Sequence, residues 1–575
     1  MVRQPLALIQ RAEIDEKLRK AVDLHRSGQL ERAEQIYREI LCDTPKHADA
    51  LHLLGVVAYQ VGKCAVAVDL VSQAIEIDPN QSSYFNNLGN AFKKLGNLGE
   101  STQAYYRAIE IEPDYAEAYN NLGNVLAEQD RLEESISAYH RALEIDPEYS
   151  EAYNNLGVTL RAQGSLEESA LAYRQAVQID PKFSNAYYNL GCLLQETGEL
   201  EDSIRAYCKV LKINPEYMEV YNNLGLALRE QGRLEESVQV YRQAIEIKPD
   251  YAEAHNNLGK VLHESGSPED SLACFERALE LKPDYLEAKN NLGLALQDLG
   301  RAKEAAETYR SILSAQPEAP EVMVNLSRAL LGMRAYDEAE ATIKRVIEIW
   351  PHVVAYDNLA VIHMATGRYD LAEAVCRQAI EKDPSYAEAH NNLGNALQDL
   401  GKPEEALASY HKALALNPDF TKAHNNLGNV LNALGHLDDA VASYRKALDL
   451  KPDFAEAHNN LGNALKELGR PDDAVTTFRK ALSLKPDFAE AHNNLGVVLR
   501  DLGKPREAAA SHEKALTLYP DYAEARNNLG AALRDLGELE KAEVSFRRAS
   551  TIKPDYAAAH NNLGVTLQDI GELED

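Results

Sequence analysis

Apolar residues fall in pairs of short blocks along this chain. Tyr119, Leu122 and Leu126 mark one block, and Ile136, Tyr139 and Leu143 mark the next. Within each block the intervals are three and four, which places the apolar side chains on one face of a helix. The spacing predicts two amphipathic helices of roughly 12 to 14 residues each. Gly164, Gly198 and Gly232 stand at the turn between the two helices of their blocks. A proline closes the second helix, because the residue before a proline is pushed out of the helical region.

The pair then recurs every 34 residues. Terminal prolines stand at Pro45, Pro79, Pro113, Pro147, Pro181, Pro215, Pro249, Pro283, Pro317, Pro351, Pro384, Pro418, Pro452, Pro486, Pro520 and Pro554, closing sixteen units, and the single step of 33 runs from Pro351 to Pro384. A fixed period of this length means one supersecondary unit stacked many times. Stability then comes from neighbouring units rather than from one central core. The predicted class is all-α, an α-solenoid of tandem helix-turn-helix units.

Five segments are expected. Residues 1–11 form an N-terminal lead, and residues 12–318 carry units one to eight and the start of the ninth. Residues 319–385 are irregular and include the one-residue deletion, residues 386–560 are regular and nearly identical units, and residues 561–575 open a seventeenth unit. The first unit is degenerate, with Lys20 and Ala21 where later units read Leu-Gly, and its polar opening helix suits a terminal cap. In the irregular segment Val324-Asn325-Leu326-Ser327 replaces the usual motif, Arg334 replaces the turn glycine, Pro320 is extra and the only tryptophan, Trp350, appears. Bending there and simple drift in a tolerant repeat are both open. At the other end, Leu563 and Leu567 are expected to face solvent, which makes a continued chain or self-association through that end an expectation.

Composition narrows the function. With 60 basic and 90 acidic residues the net charge is −30, which discourages contact with a phosphate backbone. Nucleic acid is therefore not expected as a partner, and a helical repeat reading RNA bases is the least favoured alternative. The apolar run from Pro5 to Ile9 is too short for a signal peptide, and no window approaches the ~18 apolar residues of a membrane span. Cys42, Cys64, Cys192, Cys208, Cys274 and Cys376 show neither close pairing nor metal-ligand spacing, so they read as reduced, small core residues of a cytoplasmic protein. No P-loop, HExxH or GxSxG is present, so no catalytic site, metal or cofactor is expected.

Two polar ladders run through the repeats. Directly before the Asn-Asn pair stand His255, His390, His424, His458, His492 and His560, alternating with Tyr119, Tyr153 and Tyr221. Helices pack about 8 to 10 Å apart, too far for neighbours to share a zinc ligated at ~2 Å, so these read as packing residues. The other ladder is asparagine, two residues before the motif glycine or its replacement: Asn87, Asn121, Asn155, Asn189, Asn223, Asn257, Asn291, Asn325, Asn358, Asn392, Asn426, Asn460, Asn494, Asn528 and Asn562. It persists even in the irregular segment, whereas the preceding asparagine is replaced by Tyr188, Val324 and Asp357. Asparagine is a poor helix former, so a row of it is costly unless the amides are used. A carboxamide offers donors and an acceptor and can pair with the backbone of an extended peptide. With Glu117, Asn124 and Glu128 the ladder forms a polar stripe opposite Leu122, expected to line a concave groove. The alternative, a bond across to the adjacent helix, is compatible with binding.

Tyr119, Leu122, Gly123, Ser135, Tyr139, Ala142 and Pro147 together resemble the tetratricopeptide repeat. Tyrosine or histidine stands for that family's tryptophan, and leucine such as Leu126 for its tyrosine. The resemblance covers nearly the whole chain and implies a right-handed α-solenoid superhelix and a protein-binding role. The array is also similar to the repeat region of O-linked N-acetylglucosamine transferases, in which asparagines bind the substrate backbone. That resemblance implies binding by the fifteen asparagines, supported by Glu117, Glu151, Glu253, Glu287, Glu388, Glu456 and Glu490. The chaperone-type clamp, built from lysine and arginine, does not match this stripe. The function expected is a non-enzymatic scaffold holding extended peptide segments, with the substrate arm of a larger glycosyltransferase as the alternative.

Overall fold

A computed structural model describes residues 3–571, with side-chain surroundings from residue 12 onward. The leading segment 1–11 and residues 572–575 therefore lie wholly or partly outside the described side chains. The described residues form thirty-three α-helices in tandem. After a first helix Arg3–Arg26, each unit has an A helix such as Ala116–Glu128 and a B helix such as Leu132–Ile145. Their lengths, 13 and 14 residues, agree with the pattern. The chain divides into two compact bodies, residues 1–291 and 292–575, and each is an all-α solenoid of stacked helix pairs.

The turn between A and B requires a left-handed residue. Gly164 has φ 89°, and where glycine is absent Asp130 and Arg334 are held at 61°. The residue before each terminal proline is extended, as Asp146 is at φ −125° and ψ 93°. Pro320 does not disturb the stack: it occupies the first turn of its A helix, where its missing N–H costs nothing. The one-residue deletion also falls outside the helices. The A helix after Pro351 starts at Val353, whereas the one after Pro147 starts at Ser150, so the loop alone is shorter.

The motif glycine makes room for a side chain of the B helix. A Cβ on Gly123 would lie 2.6 Å from the ring of Tyr139, sixteen residues on, and Gly157, Gly191, Gly394 and Gly428 meet Tyr173, Tyr207, Tyr410 and Tyr444 in the same way. The glycine is the seat of a buried ring. In the irregular segment both members change together: Ser327 is matched by Ile343, and Ala360 by Cys376, all buried. The bulk added on the A helix is removed from the B helix, as close packing demands. Unit one keeps both Ala21 and Tyr37 buried in a single cluster.

The hydroxyl of Ser135 donates to the Gly123 carbonyl at 2.7 Å and ties the two helices of the unit together. In the irregular unit the polarity is reversed, with Ser327 donating to the Ala339 carbonyl at 3.3 Å. At the far end the exposure expected of the last helix is smaller than the pattern suggests. Leu567 is buried and Leu563 half-buried, because the B helix Leu539–Ile552 covers that face.

Candidate functional site

The histidine ladder closes loops. His255, His390, His424, His458, His492 and His560 each place Nε2 2.9 to 3.2 Å from the carbonyl of the proline six residues earlier, so the ring is the Nε2–H tautomer and donates. The Tyr221 hydroxyl makes the same bond to Pro215 at 3.1 Å. Partial burial lowers the pKa of His458 and His492. Among the described residues no three His, Cys, Asp or Glu side chains cluster as a metal site.

The asparagine ladder is bonded from unit to unit. Asn121 Nδ2 donates to Asn86 Oδ1 at 3.0 Å, Asn155 to Asn120 at 3.1 Å, Asn189 to Asn154 at 2.9 Å, and Asn291 to Asn256 at 3.0 Å. Asn257 reaches Asn222 at a longer 3.5 Å. In the second body Asn426, Asn460, Asn494, Asn528 and Asn562 donate to Asn391, Asn425, Asn459, Asn493 and Asn527 at 2.9 to 3.1 Å. The step is always 35 residues, from the second asparagine of one unit to the first of the unit before. The ladder is thus not a free polar stripe: one amide hydrogen of each of these residues is spent between A helices.

The first asparagine is therefore not dispensable, as its substitutions suggested. In most units it is the more buried of the pair, with Asn256, Asn459 and Asn493 at most 1% exposed, while the second is half-buried in every unit but one. Its replacements keep an acceptor. His52 Nε2 receives Asn87 at 2.8 Å, Tyr188 Oη receives Asn223 at 3.4 Å and Asp357 Oδ1 receives Asn392 at 2.8 Å. Burial holds His52 neutral, with its pKa down to about 4, as an acceptor must be. Val324 alone lacks an acceptor. In the following unit Asn358, the buried exception, donates to its own Val354 carbonyl at 2.6 Å and accepts from Arg328 Nε at 2.8 Å. Asn325 is half-buried, and its main-chain carbonyl accepts from Gln297 at 3.3 Å.

The supporting residues divide. Asn86 Nδ2 reaches Glu117 at 3.0 Å, Asn256 reaches Glu287 at 3.3 Å and Asn459 reaches Glu490 at 3.1 Å. Glu456 and Glu287 pair with Lys485 and Lys260 at 3.0 Å, and Glu253 lies 3.9 Å from Lys282. Glu151 is exposed and Glu388 half-buried. Asn124 is tied to the core, because Tyr139 donates to its Oδ1 at 2.7 Å. A second set of bonds with the same step of 35 runs along the A-helix ends: Lys93–Glu128, Arg161–Glu196, Arg229–Glu264 and Arg500–Asp535. As exposed pairs these contribute roughly 0 to 1 kcal/mol each.

What remains open to a ligand on this face follows from amide chemistry. Each carboxamide carries two N–H bonds and an acceptor oxygen. The rung uses one N–H and fixes the plane, Asn426 and Asn460 spending the second as well on Asn395 and Asn429 at 3.0 and 3.1 Å. Among the described residues Asn121, Asn189, Asn426, Asn460 and Asn494 receive no protein hydrogen bond at Oδ1. In Asn155, Asn392 and Asn528 that oxygen accepts from the neighbouring first asparagine at 3.3 to 3.5 Å.

Models described as TPR repeat or tetratricopeptide repeat match between residues 18 and 555, among them 18–82, 114–182, 193–228, 225–266, 256–320, 296–360, 362–401, 428–469 and 487–555. Shorter matches cover 172–205, 387–420 and 410–442. The chain belongs to the tetratricopeptide-repeat family. Among curated proteins none matches it in sequence. Among solved structures it is similar to the APC/C hetero-tetramer Cut9–Hcn1, at 17% identity and TM-score 0.40 over 85% of this chain and 96% of that one. It is also similar to Naa15/Naa10 bound to HypK-THB, at 15% identity and TM-score 0.37 over 97% and 96% of the two chains. YrrB, described as a TPR protein with an unusual peptide-binding site, matches at 24% identity and TM-score 0.30 over 32% of this tetratricopeptide-repeat chain and 96% of its own.

Among the described residues no helix is long and apolar enough to cross a membrane. The six cysteines are free thiols. Cys64 and Cys376 are buried, and burial pushes the Cys376 thiol up to about 12, whereas Cys42 is exposed rather than part of the core.

Proposed function

We propose that this repeat array is a non-enzymatic scaffold whose A-helix face holds an extended segment of a partner protein. The observation that carries the reading is the rung. In the regular units the second-position carboxamide is fixed by its bond to the preceding unit, so its oxygen, and its second N–H where only one is bonded, are oriented before any partner arrives, which lowers the ordering cost of binding. Pairing through the main chain gives modest sequence preference, as in other backbone-reading surfaces. The free thiols suit a reducing, cytoplasmic setting.

The test selects peptides from a random linear library on the full chain. Asn426, Asn460, Asn494 and Asn528 are then replaced together by alanine, with helicity monitored by circular dichroism. Loss of binding in a still-folded variant is expected. Esters replacing peptide N–H groups in a selected peptide should each weaken it by roughly fivefold, the worth of about 1 kcal/mol per hydrogen bond. Unchanged binding in both experiments would remove the proposal. The glycosyltransferase-arm reading draws on the retention of Asn325 and Asn358 where the rest of the motif has decayed. A nucleotide-sugar domain encoded contiguously with the array would support it.

A further inference from the structure

The ladder changes sense at one place. In regular units the residue after the motif glycine, Asn395 or Asn429, accepts from the next unit's ladder amide, Asn426 or Asn460, at 3.0 and 3.1 Å. In the irregular segment that residue is Arg328, and it donates instead, through Nε to Asn358 Oδ1 at 2.8 Å. The carboxamide of Asn358 is thereby reversed, with its N–H turned to the Val354 carbonyl of its own helix. Buried and doubly engaged, Asn358 presents nothing to a ligand. Arg328 is exposed in its stead, and among the described residues neither of its terminal nitrogens is bonded.

A guanidinium held at Nε retains the Nη1–Nη2 edge, two parallel donors that match a carboxylate. We propose that Arg328 is the specificity position of the A-helix face and takes a side-chain carboxylate of the extended partner segment. The proposal rests on the groove reading above and adds a register to it. Elsewhere this face carries Glu151 and Glu388, and the other cation in the place of Arg328, Lys260, is already paired with Glu287 at 3.0 Å, so an acidic side chain is repelled at those glutamates and accepted at Arg328.

The ground beneath Arg328 supports this. Asp357 is buried with its carboxylate on Asn392 Nδ2, and burial raises its pKa to about 6. The charged and titratable groups facing it are Arg328 from the helix Pro320–Gly332, Cys376 from Tyr369–Lys382, Tyr386 in the following loop and Glu388 from Ala387–Asp399. As pH falls through about 6 Asp357 loses its charge, and Arg328 is less compensated from below. The preference for acidic residues should therefore sharpen in mild acid.

Selection from a random linear peptide library on the full chain, at neutral pH and at about pH 5.5, tests this directly. The expected pool carries Asp or Glu at one fixed place, more strongly at the lower pH. R328Q should abolish that preference and weaken a selected peptide about tenfold, and R328E should replace the acidic residue by Lys or Arg. Because Arg328 is exposed, both variants are expected to fold, which circular dichroism checks. A pool of extended peptides with no acidic place, or one unchanged by R328E, overturns the inference and leaves the groove reading standing. Absence of any enriched peptide overturns both.

Discussion

If the motif glycine exists to seat a ring, adding a methyl there should be harmful only while the ring is present. Gly394→Ala in the wild-type chain places a Cβ 2.6 Å from Tyr410 Cε1. Tyr410 is fully buried and donates to Asn395 at 2.7 Å, so the ring has nowhere to retreat. Overpacking of this kind costs about 1 to 3 kcal/mol, against a helix-propensity gain of about 1 kcal/mol for alanine over glycine. The net expectation is a loss of up to about 2 kcal/mol. Tyr410→Cys alone empties a buried ring site, a loss of about 3 to 5 kcal/mol. In the Tyr410→Cys background the added methyl enters vacant space, as the pair Ala360 and Cys376 already shows. There Gly394→Ala should be neutral or stabilising, with a favourable coupling of about 1 to 3 kcal/mol. Unfolding of a long array is not a single two-state event, so the measurement is native-state hydrogen exchange of the helices Ala387–Asp399 and Pro403–Leu416 within the full chain. Equal destabilisation by Gly394→Ala in both backgrounds would show that the ring is not what the glycine serves.

Two further outcomes are expected. Arg334 sits at φ 61°, so Arg334→Gly should stabilise its unit by about 1 kcal/mol, read as slower exchange in 320–349, and faster exchange would refute the strain. His512 occupies a ring position, with Nδ1 3.1 Å from Asn493 Oδ1 and Nε2 buried without a partner. Burial, with Arg500 nearby, lowers its pKa from 6.5 to about 4. The unfolded chain thus takes up a proton first: the stability is present above pH 6.5 and is lost as pH falls towards about 4, by up to about 3 kcal/mol. His512→Tyr, the residue of most other units, should flatten that dependence in a pH series of the same exchange measurement, and an unchanged slope would place the titration elsewhere.

The period, the helix lengths, the turn positions and the helix-ending prolines were all legible in the chain, because each depends on local rules acting within one unit. The asparagines were found, but their division of labour was not. Counting substitutions made Asn120 and its equivalents look replaceable, while the structure shows that His52, Tyr188 and Asp357 keep the acceptor. That bond joins residues 35 apart, so it is a property of two neighbouring units and cannot be read from one. The joint change of Ser327 with Ile343 and of Ala360 with Cys376 was visible as letters, and a sixteen-residue comparison would have found the ring seat before any coordinates. The histidine clasp on the preceding proline carbonyl had no such signal, since a main-chain oxygen is present at every residue.

The rung also bears on how such a chain grows. Each regular unit brings both halves of the same bond, an acceptor for its successor and a donor for its predecessor. Excision or duplication of 34 residues within 386–560 therefore rejoins a donor to an acceptor of identical chemistry, wherever the cut falls. Copy number can drift by unequal recombination without a new interface having to evolve. The reversed carboxamide at Asn358 is the exception, since there Arg328 donates and Val324 offers no side-chain acceptor. A cut beside that unit therefore does not restore the common bond.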